Sequence, residues 1–127
     1  VDVKQLQRVA KMRPEEVDAL PFGAIVIDAS GTIIRYNQFE ARLSKLDAKR
    51  VIGKNFFRDI APCTAVQAFE GRMREFIASE EQYRVTFDYR FNFPHGVADV
   101  EISFMKLPSD DTILIAVDRL GLPPSLD

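Results

Sequence analysis

The chain has no tryptophan, one cysteine and one histidine in 127 residues. A single cysteine, Cys63, excludes an internal disulfide, and a single histidine, His95, excludes a histidine-rich metal site. No apolar stretch approaches the roughly 18 residues of a membrane span and no secretory signal pattern opens the chain, so a cytoplasmic location is expected. Excess positive charge is also missing. Seventeen basic residues against nineteen acidic ones give a net charge of −2, which speaks against a nucleic-acid partner. There is no glycine-rich phosphate loop, no Ser-His-Asp set with a credible base and no metal-ligand cluster. An enzyme is therefore not expected. What is present is ordinary in amount: 46% hydrophobic, 28% charged and ten phenylalanines, enough for one globular domain that buries about two-thirds of its surface.

Periodicity divides the chain. Val3, Leu6, Val9 and Met12 recur at helical spacing, and Pro14 with Glu15 and Glu16 starts a second short helix. Residues 1–20 thus read as an N-terminal helical cap and 21–120 as a core. Phe22–Asp28 and Thr32–Tyr36 form a hairpin around Ala29-Ser30-Gly31. Short helices and loops fill 37–62, and a longer helix is expected from Thr64 to Ala78. From Tyr83 to Phe93 every odd position is apolar or aromatic and every even one polar, the signature of a half-buried antiparallel strand. Strands at 97–107 and 112–117 follow, joined through Ser109-Asp-Asp111. The order gives an α+β fold with about five antiparallel strands and helices on one face. Gly121 to Asp127 reads as a tail or linker, and the Val1 start suggests a processed or cut chain.

Two places could carry chemistry. Cys63 precedes the expected long helix, whose N-terminal dipole would favour thiolate; the alternative is a small buried hydrophobe. Tyr36 and Glu40 stand four residues apart. If both point inward they could donate to one buried acceptor, with burial keeping Glu40 protonated. The alternative is a capping box, Asn37 capping the helix and an exposed Glu40 reaching back. His95 reads as a solvated turn residue, and the acidic residues as dispersed surface charge.

Longer matches add to this. Phe22-Gly-Ala-Ile, Asp28, Gly31, Ile33, Tyr36-Asn37 and Glu40, then Val51-Ile-Gly-Lys-Asn-Phe-Phe57, Asp59 and Ala61-Pro-Cys-Thr64, resemble the photoactive yellow protein family of PAS-fold blue-light photoreceptors. Ala10-Lys-Met12 and Leu20 resemble that family's N-terminal cap. The resemblance runs from about residue 10 to 80 and weakens over the last strands. It implies that Cys63 carries p-coumaric acid (4-hydroxycinnamic acid) as a thioester. It also implies that Tyr36 and Glu40 hydrogen-bond the phenolate and that Ser44 supports the tyrosine. Light then isomerises the chromophore, Glu40 gives up its proton and the cap loosens.

Several positions depart from the family pattern. Ser44 stands for a threonine, Leu46 for the arginine that lids the pocket, and Pro94-His95-Gly96 for a segment that supplies a methionine. These differences bear on colour and recovery first. The second reading is a PAS ligand-sensing or dimerisation module that binds no chromophore, with helix 3–12 packing on a partner or a second copy. In either reading a downstream signalling protein or a fused output domain is the expected partner.

Overall fold

The computed structural model describes residues 1–108 and 111–119. Ser109 and Asp110 of the expected last turn, and the tail 121–127, lie outside the described residues. Five helices, α1 (Val3–Val9), α2 (Pro14–Asp18), α3 (Gln38–Ser44), α4 (Ala48–Val51) and α5 (Arg72–Ala78), accompany five strands. The strands are β1 (Gly23–Ile27), β2 (Ile33–Tyr36), β3 (Arg84–Phe93), β4 (Gly96–Lys106) and β5 (Ile113–Arg119). They form one antiparallel sheet in the order β2-β1-β5-β4-β3. The expected α+β architecture is thus present.

Both faces of the central strands are covered, which explains why Gly23–Ile27 is buried at every position. Ile25 and Ile27 point with Ile102, Phe104, Ile115 and Val117 into a core closed by α3 to α5. Ala24 and Val26 point the other way, with Met105, Leu114 and Ala116, onto Leu6, Val9 and Val17 of the N-terminal helices. Helices on one face are therefore only part of the picture, because the cap seals the second. The large side chains that hold it, Leu6, Val9 and Val17, are worth roughly 4–9 kcal/mol together as an upper bound. That is small beside the main core.

The edge strand β3 keeps its period of two: Val85, Phe87, Tyr89 and Phe91 face the core while Arg84, Thr86, Asp88 and Arg90 are exposed. The helix expected over Thr64–Ala78 is broken. Pro62–Thr64 is a single 3₁₀ turn, Val66 is extended at φ −136° and ψ 165°, Gln67–Gly71 winds as a π turn, and regular helix begins only at Arg72. The apolar spacing of Val66, Phe69, Met73 and Phe76 fits a helix, yet Val66 is exposed while the other three are buried. Burying Phe69 among Phe56, Tyr89 and Phe104 is compatible with the break, and tertiary packing here overrides local propensity.

Candidate functional site

Tyr36 ends β2 and Asn37 turns the chain into α3, which places Glu40 in the helix's first turn. Asn37 is itself buried and uses its whole amide. Its Oδ1 accepts from the backbone N–H of Ala24 (2.9 Å) and of Glu40 (3.1 Å). Its Nδ2 donates to the carbonyls of Val17 (2.9 Å) and Phe22 (3.0 Å). One side chain therefore ties α3 to β1 and to α2 of the cap. The helix-capping part of the sequence reading is present; the tertiary ties left no mark in local spacing.

The second half of the capping box is absent. Glu40 is only 2% exposed, and its carboxyl turns inward instead of reaching back to the N-cap. Its Oε1 is buried without a hydrogen-bond partner. Loss of solvent pushes its pKa up to about 8, so the carboxyl is mostly protonated at neutral pH. Glu40 is thus the exception to the expectation that the acidic residues are surface charge.

Beside it, the Tyr36 hydroxyl lies 2.8 Å from Ser44 Oγ, and Ser44 Oγ donates to the Glu40 carbonyl at 2.8 Å. A serine has one proton, so Tyr36 must be the donor in the first bond. Burial raises the Tyr36 pKa, the Glu40 charge raises it further, and the Ser44 bond opposes both. Tyr36 and Ser44 are thus linked to the Glu40 backbone, and the side chains of all three residues are buried.

Cys63 stands apart from that group. It is half-buried in the Pro62–Thr64 turn, packed against the core cluster that also contains Tyr36. The long helix expected to follow it does not form, so the helix-dipole argument for its thiolate no longer applies. The turn is fixed in another way. Tyr89 donates its hydroxyl to the Cys63 carbonyl at 2.6 Å, and Thr64 donates to the Ala61 carbonyl at 2.6 Å. Sequence spacing gives no sign of the Tyr89 bond, because 26 residues separate the partners.

The surrounding wall is aromatic. Phe69 lies at ring-centroid distances of 5.0 Å from Tyr89, 5.4 Å from Phe104 and 5.9 Å from Phe56. Leu46 is 37% exposed just beyond α3. His95 is exposed, but it is more than a solvated turn residue. Its ring stacks on Phe93 at 5.0 Å, and Nε2 lies 3.2 Å from the Leu43 carbonyl. The hairpin tip is thereby fastened to α3. Among the described residues no group of side chains could hold a metal ion.

This sheet order, with short helices on one face and a helical cap on the other, and with a polar group buried under α3, defines a PAS-fold sensory domain. The family model described as the PAS fold matches residues 17–119. Photoactive yellow protein from Halochromatium salexigens is 40% identical over 112 residues, which cover 88% of this chain and 89% of that protein. Photoactive yellow protein from Cereibacter sphaeroides is 34% identical over 115 residues, covering 91% and 92%. A solved structure of the photoactive yellow protein domain from the sensor histidine kinase Ppr of Rhodospirillum centenum superposes with a TM-score of 0.83. It is 40% identical and covers 89% of this chain and 98% of that one. The chain belongs to the photoactive yellow protein family of PAS-fold photoreceptors.

Proposed function

We propose that this domain senses blue light through p-coumaric acid held as a thioester on Cys63, and that it signals by releasing its N-terminal cap. One observation carries the reading: the buried Glu40 Oε1 has no partner, and Tyr36 is near enough for the Glu40 charge to raise its pKa. A native fold keeps such an atom unsatisfied at a cost of about 1–3 kcal/mol, which a ligand acceptor would remove. A neutral carboxyl and a phenol are two donors, the chemistry that suits a buried phenolate oxygen. When bound, p-coumaric acid supplies the phenolate that absorbs visible light and a double bond that isomerises.

The protein's own groups do the rest. Cys63 offers its sulfur from a turn that Tyr89 and Thr64 pin. Tyr36 can donate into the site only by turning its proton from Ser44; the Ser44 hydroxyl then swings from the Glu40 carbonyl to the Tyr36 oxygen. Glu40 holds a proton at neutral pH and can release it inside the site. The resulting carboxylate would sit in a dry environment, which costs several kcal/mol. Asn37 links the backbone of Glu40 to Val17 of α2, so strain on α3 falls on the cap.

On this reading the domain is not an enzyme. It acts on a downstream signalling protein or a fused output module, as the relative within a sensor histidine kinase suggests, and it pairs with a second copy through α1. No helix among the described residues is long and apolar enough to cross a membrane, and a free cysteine fits a cytoplasmic location. The test is reconstitution with activated hydroxycinnamate, followed by intact mass and a visible spectrum. An adduct and a yellow band are expected, both lost in Cys63→Ala. An unmodified wild-type mass with no visible band rejects the proposal and favours a PAS module without chromophore.

A further inference from the structure

We infer that Gly23 is a positioning residue for Glu40: the missing side chain at the first position of β1 is the notch in which the Glu40 carboxyl sits. A Cβ built on Gly23 would lie 2.1 Å from Glu40 Oε1 and 3.2 Å from its Cδ. The third neighbour is Val117 Cβ on the paired strand, at 3.1 Å. Backbone conformation does not require glycine here, since the positive-φ glycines are Gly31, Gly53 and Gly96. Space alone requires it. At this strand position it is a carboxyl oxygen lying against the backbone that leaves no room for a Cβ.

The notch deepens the reading of the site because it decides where the proton of Glu40 is kept. Inside it Oε1 receives no hydrogen bond. Desolvation is the cause of its raised pKa, and no charged group contributes. The Tyr36 phenol is the titratable group that acts with it, and Ser44 is the other polar neighbour on α3. Outside the notch the carboxyl can meet a hydroxyl or solvent. Each of these favours the carboxylate more than the notch does. The Glu40 oxygen in the way is the end of a flexible side chain and can move aside, while Val117 Cβ must give by a few tenths of an ångström.

The experiment uses protein produced without hydroxycinnamate. The infrared band of the protonated Glu40 carboxyl, identified by its loss in Glu40→Gln, is titrated in wild type and in Gly23→Ala. The midpoint is expected to fall by about one pH unit or more in Gly23→Ala, with a shift in band frequency as the carboxyl gains a hydrogen bond. Glu40→Asp withdraws the carboxyl by one methylene, so Gly23→Ala should have little further effect in that background. An unchanged midpoint and frequency in Gly23→Ala overturns the inference, as does an equal shift in both backgrounds. If Gly23→Ala does not fold, Gly23→Ala/Glu40→Ala decides. Recovery of the fold supports the notch, and continued unfolding assigns the glycine to Val117 instead. The inference rests on Glu40 as the site's proton carrier, yet failure to take up hydroxycinnamate would leave these titrations untouched, so the two readings fail separately.

Discussion

Glu40→Gln should change how the stability of the unloaded protein depends on pH, and the structure sets the size. Burial moves the Glu40 pKa from 4.5 to about 8. At 1.36 kcal/mol per unit, complete ionisation costs the fold about 5 kcal/mol. The direction follows from the raised value. The neutral carboxyl favours folding fully below pH 4.5, and this contribution is lost as pH rises through 8. Between pH 5 and 7 the loss is about 2.5 kcal/mol, and by pH 9 about 4 kcal/mol. Glutamine has nearly the same shape and does not ionise, so the variant lacks this slope. Its amide brings a second donor into a site where Glu40 Oε1 has no hydrogen-bond partner, so it should start about 1 kcal/mol less stable at pH 5. The two curves then cross at about pH 6. Urea unfolding of both proteins at intervals from pH 5 to 9 measures this, and other titrating groups cancel in the difference. A difference constant to within about 0.5 kcal/mol over that range, the precision of such extrapolations, would refute the buried, neutral Glu40.

Further outcomes follow from the other bonds. Asn37→Ala leaves the Ala24 and Glu40 N–H groups and the Phe22 carbonyl without their partner, while the Val17 carbonyl keeps the Leu20 N–H; it should cost about 3–5 kcal/mol, read by urea unfolding, with earlier proteolysis of residues 1–20. Ser44→Ala removes the bond that lowers the Tyr36 pKa. Its phenol should titrate at still higher pH by ultraviolet absorbance, with Ser44→Thr restoring the wild-type curve. Tyr89→Phe frees the Cys63 carbonyl, so it should cost about 1 kcal/mol and speed alkylation of the Cys63 thiol.

Several features are legible along the chain because they repeat at short range. The alternation from 83 to 93 fixes β3, the helical spacing at Val3, Leu6 and Val9 fixes the cap helix, and Asn37 announces a helix start. The run Val51 to Thr64 is local enough to carry the family resemblance. Spacing also predicts a long helix after Cys63, and fails there. A helical period records which residues are apolar but not that Phe69 packs into an aromatic cluster beyond an extended Val66.

The choice between an exposed capping Glu40 and a buried one is of the same kind. Both conformations satisfy the same four-residue spacing, and local energies differ little between them. The inward position is set by β1 and β5 across the sheet, where Gly23 leaves room for the carboxyl against Val117. The order of residues along the chain thus carries the strands, the cap helix, the single thiol and the pair of acid and phenol. Tertiary structure alone decided that the acid is dry and unpartnered, that Asn37 joins its helix to the cap, and that Tyr89 rather than a helix dipole fixes the Cys63 turn. Desolvation and long-range hydrogen bonds depend on what the rest of the chain brings near, and that is written in no single segment.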